Sequence, residues 1–405
     1  MARILIGWEF GRNLGHIARD LPLARACRDA GHEVVWAVPD LRAAAAQLEG
    51  EGFLLLQTPL VRATPNQSPP ISFSDMLLRE GYADAAGLLG SLHGWVSLVR
   101  LAAPAVIVHD YAPTALLAAR VTGVPAMVLG SGFMVPPPVS PTPGFWPSAQ
   151  VPAQALLDVD ARLVARINGA LAAFGAAPIA SLADVYAQGG QYLTTFEELD
   201  PFGPRPGARY FGPMFALGKQ SSVEWTSTGK RRIFAYLRPE VPGCESLLEA
   251  LQGGEAEVVC AMPGLPPAWV TRFDRLRFAP GAVDMDKLLP SADLAITNGS
   301  GTIPSCLLAG VPVLVLPHFV EQYLAGMRLQ NLGAGLVVQS AQTMMGFAAM
   351  LGQLLSKPGY RETAQAFAKR HAGHDREATG RRIFAALEAL LPAGPRSASR
   401  AEPGR

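Results

Sequence analysis

The stretch from Leu5 to Ala37, LIGWEFGRNLGHIARDLPLARACRDAGHEVVWA, sets two short apolar runs on either side of a glycine-spaced turn and a helical pattern. The turn carries Gly7, Gly11 and Gly15, and His16 follows at the mouth of the helix. Strand, turn, helix and strand in that order predict the first unit of a parallel α/β sheet. Glycines after a first strand usually indicate a nucleotide site, whereas a histidine there indicates acid–base chemistry.

Outward from this unit the pattern repeats. EVVWAV, FLLLQ, AVIVHD and PAMVLG are short and rich in branched residues, as strands buried on both faces are. Helical stretches between them end at Gly31 and Gly123, in C-cap positions. A second series, RRIFAYL, EVVCAM, LRFAP, DLAIT, VPVLVLP and AGLVV, follows a segment rich in proline, glycine and serine from about Pro201 to Lys230. That segment reads as a linker between two doubly wound α/β domains, which leave a cleft between them. Two proline-rich stretches, TPLVRATPNQSPPISFSD and VPPPVSPTPGFWPSAQVP, follow strand ends and are expected to take part in ligand binding.

Composition narrows the function. A net charge of +1, without a long basic run, offers no electrostatic footprint for nucleic acid. No uninterrupted apolar stretch reaches the length of a spanning helix, which leaves only peripheral membrane contact open. The start lacks a signal-peptide pattern, and Cys27, Cys244, Cys260 and Cys306 are too scattered for zinc or a disulfide framework. A cytoplasmic location is expected. A nicotinamide enzyme is disfavoured, because the turn lacks GxGxxG spacing and none of the eight tyrosines is followed four residues later by lysine.

The second half holds LLPSADLAITNGSGTIPSCLLAGVPVLVLPHFVEQ. Its strand runs into Asn298, Gly299, Ser300, Gly301 and Thr302, and a helix follows. Small residues let backbone approach an anion, helix N–H groups favour negative charge, and Ser300 and Thr302 add hydroxyl donors. Glu321 and Gln322, after the next strand, are suited to gripping vicinal sugar hydroxyls. DMD at Asp284–Asp286 reads as a helix start rather than a metal site, and no metal site is expected.

From about residue 3 to 390 the layout resembles the GT-B glycosyltransferases, particularly the bacterial and plant family of UDP-glucosyl- and glucuronosyl-type enzymes and antibiotic glycosyltransferases. GHIARDLPLARACRDAGHEV is similar to that family's GH and LPLARALAARGHEV, and LAGVPVLVLPHFVEQ to its AAGVPVVVVP…DQ. The resemblance implies residues 1–215 as an acceptor-binding domain, 216–230 as a linker and 231–375 as a nucleotide-sugar-binding domain. It further implies a helix over 376–392 returning toward the first domain, and a disordered tail at 393–405. His16 matches the family's general base, and Asp110, in VHDYAPTALLAARVTGVPA, matches its orienting carboxylate. Phe10, Gly11, Phe133, Met134, Phe145 and Trp146 are the candidates to line an apolar acceptor pocket. Several positions depart from the family. The phosphate-contacting histidine of HGG-x-GT is replaced by Asn298, Ser305 stands where an acidic residue is usual, and YLRPE replaces SLGS, offering Arg238 to the diphosphate.

The implied activity is inverting, metal-independent transfer from a UDP- or dTDP-sugar to a hydroxyl of a small-molecule or lipid acceptor. The sugar nucleotide is a co-substrate and no cofactor is expected. The alternatives are a nucleotide-sugar epimerase of the same fold and a catalytically inactive binding protein. The sequence leaves the sugar, the acceptor and the oligomeric state open.

Overall fold

The computed structural model describes residues 1–11, 15–60, 68–146, 150–214, 221–339 and 346–391. Two parallel sheets form two domains. The first sheet holds β1 (Arg3–Trp8), β2 (Glu33–Val38), β3 (Leu54–Gln57), β4 (Val106–Asp110), β5 (Ala126–Gly130), β6 (Gln191–Leu193) and β7 (Arg209–Tyr210), in the order β3-β2-β1-β4-β5-β6-β7. The second holds β8 (Arg232–Tyr236), β9 (Glu257–Ala261), β10 (Arg277–Ala279), β11 (Leu294–Thr297), β12 (Val313–Val315) and β13 (Gly335–Val337), in the order β10-β9-β8-β11-β12-β13. In both, the order reverses beside the first strand, which is where open α/β sheets bind ligands.

The core follows the period of two. Ile4, Ile6 and Trp8 face one apolar layer, while Leu5 faces the other. On β4, Val106 and Val108 share the layer of Ile4, and Ile107 points opposite. Asp110 therefore falls on the face of β4 covered by the helix Gly15–Asp29, and His109 on the other. His109 is buried there against Tyr186, with ring centroids 5.5 Å apart, and burial pushes its pKa down to about 4. It is a neutral core residue.

Two features join the domains. The helix Arg376–Glu388 returns to the first domain and packs along Gly15–Asp29, burying Ile383 and Leu387 in that domain's core. Contact there is close: a Cβ on Gly380 would lie 2.9 Å from Pro22. Phe196 and Leu199, past β6, sit in turn in the core of the second domain. Part of the expected linker belongs to the second domain's surface, since Thr226 and Ser227 donate to the Glu257 carboxylate and Ser221 to Ala282 O. The rest of the linker, 216–220, and the tail 393–405 lie outside the described residues. Among those described, all four cysteines are free and buried, and no helix is long and apolar enough to cross a membrane.

Candidate functional site

Register brings the catalytic candidates together. Trp8, the last residue of β1, pairs with Asp110, the last residue of β4, and the helix after β1 lays His16 across both strand ends. His16 Nδ1 lies 2.9 Å from Asp110 Oδ2 and 3.0 Å from Oδ1. The imidazole is parallel to the Trp8 indole at 4.9 Å and to the Tyr111 ring at 6.2 Å. Tyr111 holds φ +50°, a backbone strain of about 1–3 kcal/mol. Its carbonyl accepts from Phe10 N at 3.1 Å, which ties the β4 end to the turn after β1.

Asp110 has a second cationic partner. The Arg19 guanidinium pairs with it and with Asp20, 2.9 Å away, and all three side chains are nearly inaccessible to solvent. Burial alone would raise the Asp110 pKa, but Arg19 and His16 outweigh it and hold the carboxyl well below its usual range. Asp20 is the opposite case, pushed up to about 8 by burial despite Arg19. Asp110 thus stays ionised and accepts from Nδ1–H. That leaves the Nε2 lone pair free, the arrangement a general base needs.

The three glycines of the opening turn do three different jobs. A Cβ on Gly7 would lie 3.1 Å from Trp95, so that glycine serves packing. Gly15 meets nothing within 4 Å. Gly11, at φ +86°, is the one at the base: a Cβ there would lie 2.8 Å from His16 Nε2.

His16 lines two cavities in the interdomain cleft. One, of about 500 Å³, is lined by Arg19, Thr194 and Thr195 from the first domain and by Tyr236, Gly299–Ser305, Glu321 and Gln322 from the second. The other, of about 910 Å³, is mostly apolar and is walled by Phe10, Gly11, Tyr111, Phe133, Trp146 and Tyr323, among others. His16, Met134 and Glu321 line both. The loop carrying Phe133 and Met134 is braced from below by the buried Asp200–Arg205 pair, whose guanidinium donates to Gly132 O at 2.6 Å and to Val135 O. Both proline-rich stretches contribute to the larger cavity, through Pro59, Leu60, Pro69 and Pro70 on one side and Trp146 on the other.

Most expected binding residues fall on these walls, and three do not. Gly299, Ser300, Gly301, Thr302, Glu321 and Gln322 line the smaller cavity. Ser300 Oγ donates to Glu321 at 2.9 Å, and Gln322 Oε1 accepts from His318 N and Phe319 N, closing the first turn of its helix. Phe10, Gly11, Phe133, Met134 and Trp146 line the larger one. Phe145 is instead buried against Phe133 and Phe202, as a core side chain. Asn298 is spent on the fold. Its Oδ1 accepts from Arg238 N at 2.6 Å and its amide donates to Leu316 O at 2.7 Å, stitching three strand ends. The Arg238 side chain is exposed and belongs to neither cavity wall.

Sequence reasoning missed Trp8, Arg19 and Tyr111 around the base. The adjacency of Trp8 to the glycine turn and of Tyr111 to Asp110 is the available signal. Arg19 resembles any charged helical residue.

Two facing doubly wound sheets with a cleft at their switch points are the GT-B fold. Residues 245–381 match the family described as the erythromycin biosynthesis protein CIII-like C-terminal domain. A PGL/p-HBAD biosynthesis glycosyltransferase from Mycobacterium tuberculosis is 27% identical over 170 residues, covering 40% of this chain and 39% of that protein. The match thus spans about two fifths of that relative's length, and about a third of the length of an aklavinone 7-beta-L-rhodosaminyltransferase from Streptomyces galilaeus, which is 29% identical over 155 residues. The structure of a calicheamicin glycosyltransferase superposes with a TM-score of 0.72 at 16% identity, covering 96% of this chain and 99% of that one. That of the spinosyn rhamnosyltransferase complexed with thymidine diphosphate gives 0.67 at 18% identity, covering 95% and 100%. At these identities the structures establish the fold.

Proposed function

We propose that the protein is an inverting glycosyltransferase that moves a sugar from a UDP- or dTDP-sugar to a hydroxyl of an apolar small-molecule or lipid acceptor. One observation carries this reading: His16, already paired with Asp110, stands on the wall shared by two cavities, one bounded by the Gly299–Thr302 turn of the second domain and the other by aromatic residues of the first. The smaller cavity, entered by the Gly299–Thr302 turn with its hydroxyls and glycines, suits a sugar diphosphate, and the larger, walled by Phe10, Tyr111, Phe133 and Trp146, suits an aglycone. The spinosyn rhamnosyltransferase, solved both with thymidine diphosphate and with the spinosyn aglycone, supports both halves.

In the reaction, Nε2 takes the proton of the acceptor hydroxyl. The acceptor oxygen bonds to the anomeric carbon from the face opposite the diphosphate, and the bond from that carbon to the diphosphate oxygen breaks. Asp110 fixes the tautomer and balances the imidazolium formed. The Ser300 and Gly301 N–H groups and the Thr302 hydroxyl, not spent on bonds within the turn or to Glu321, receive the charge of the leaving diphosphate, without a metal or further cofactor. Glu321 and Gln322 stand where the sugar's hydroxyls meet the cleft.

The test is incubation of the full chain with UDP- and dTDP-hexoses and a panel of hydroxylated polycyclic acceptors, with products read by mass spectrometry and anomeric configuration by NMR. Glycosylated acceptor with inverted configuration is expected. Retained configuration, or an epimerised sugar nucleotide without transfer, contradicts the proposal.

A further inference from the structure

One turn beyond the base, the helix Gly15–Asp29 carries two charged residues that the reaction above does not use, Arg19 and Asp20. Their side chains are 9% and 0% exposed. Arg19 Nε donates to Asp20 Oδ1 at 2.9 Å and Nη2 to Oδ2 at 3.3 Å. Nη2 also pairs with Asp110 Oδ1, the oxygen that lies 3.0 Å from His16 Nδ1. Nη1 is left with the Met134 sulfur at 3.1 Å. One carboxylate oxygen is thus shared between a fixed cation and the imidazole.

The charges in this cluster decide which form of the imidazole is cheap to keep. Burial holds Asp20 protonated up to about pH 8. Near neutral pH, therefore, Arg19 and Asp110 cancel as long as the imidazole is neutral. Protonating His16 then leaves one uncompensated positive charge in a site with little access to water. Without Arg19 the order reverses. The imidazolium would be the one cation left to Asp110, and a neutral imidazole would leave a lone buried carboxylate.

The other titratable groups near the ring supply no such fixed cation. Glu9, directly after β1, is raised to about 7 by burial. His109 is a neutral residue on the far face of β4, and burial keeps the Tyr111 hydroxyl protonated. Glu80, His318 and Glu321 stand on the cavity walls. Among the described residues lining the two cavities, Arg19 is the one lysine or arginine.

We propose that Arg19 is a positioning residue for the transfer: through the oxygen it shares with His16 it holds Asp110 in place and balances its charge, so that the imidazole is neutral, and able to take a proton, at a pH where the imidazolium would otherwise persist. This rests on the reading of His16 as the base.

The test is an NMR titration of the full chain, labelled with carbon-13 at histidine Cε1, from about pH 5 to 9 without sugar nucleotide or acceptor. The His16 signal is identified by its loss in His16→Ala. Wild type is compared with Arg19→Gln, which keeps an N–H donor without the charge, and with Arg19→Lys, which keeps the charge without the planar fork. The His16 midpoint should rise by about one pH unit or more in Arg19→Gln, the effect of one neighbouring charge. In Arg19→Lys it should stay within a few tenths of wild type. A role in packing alone would not separate the two variants in this way. A wild-type midpoint in Arg19→Gln overturns the inference, and so does a midpoint displaced by a full unit in Arg19→Lys. If Arg19→Gln does not fold, the Arg19→Lys midpoint decides by the same criterion. The readout needs no substrate, so its failure leaves the base standing, whereas undiminished transfer by His16→Ala removes the base itself.

Discussion

Replacing Gly11 with alanine puts one methyl group at the point where the chemistry is proposed to occur. The added Cβ would lie 2.8 Å from His16 Nε2. A hydroxyl surrendering its proton to that nitrogen must come within roughly 2.6–3.2 Å of it, so methyl group and acceptor oxygen compete for the same volume. The backbone adds its own cost, because φ at Gly11 is +86° and an L-residue there is strained by about 1–2 kcal/mol. Gly11→Ala should therefore lose about that much stability in urea unfolding. Its kcat/KM for the acceptor should fall by about 100-fold or more, the low end of what general-base catalysis contributes. Calorimetric affinity for UDP or dTDP should not change, since Gly11 does not line the smaller cavity. Gly15→Ala, at a helix start where a Cβ meets nothing within 4 Å, is the stability control and should gain up to about 1 kcal/mol. A Gly11→Ala enzyme with acceptor kcat/KM within a few-fold of wild type would refute the assignment of Nε2 as the base.

Three further outcomes are expected. Asp110→Asn deprives the buried Arg19 of its ionised partner, Asp20 being pushed up to about 8, and should cost about 3 kcal/mol or more, read by denaturant midpoint, together with a loss of turnover; a fully stable variant would contradict the buried cluster. Glu9 titrates from 4.5 in the unfolded chain to about 7 in the folded one. Between those values the native state holds a proton that the unfolded state has released, so stability is complete below pH 4.5 and is lost as pH rises through 7. The loss amounts to roughly 3 kcal/mol. Glu9→Gln should match wild type near pH 4.5 and exceed it at pH 8, and parallel pH profiles would reject this. Gly301→Val should fold normally, since a Cβ there meets nothing within 4 Å, yet bind UDP or dTDP at least about tenfold more weakly by filling the smaller cavity. Unchanged affinity would make the Gly299–Thr302 turn a simple connection.

The sheets were legible because strands buried on both faces leave a strong signal, and each apolar run quoted from β1 to β5 and from β8 to β13 forms a strand. The short β6 and β7, with three and two residues, carry too few apolar positions to announce themselves. His16 and Asp110 could be paired because each sits beside a glycine-closed strand–helix unit and each matches a family motif. What surrounds them could not be read. Arg19 looks like a solvated helical residue until the fold turns it inward onto Asp110. Glu9 looks like one more loop carboxylate until the helix Pro113–Thr122 places Thr114 N–H against it. Asn298 and Arg238 lie at a strand edge where sequence cannot tell a ligand contact from a stitch between strands, and the hydrogen bond between them decides for the stitch. Phe145 shows the same ambiguity for aromatic residues, which serve a pocket wall and a core equally well in sequence.

The central claim is that His16 Nε2 removes the acceptor proton where the two cavities share His16 as a wall. The most direct measurement compares wild type and His16→Ala in two assays on the same preparation, dTDP and UDP affinity by calorimetry and single-turnover sugar transfer by mass spectrometry. His16→Ala should bind the nucleotides as wild type does and transfer sugar slower by about 100-fold or more. Transfer at the wild-type rate by His16→Ala would contradict the account.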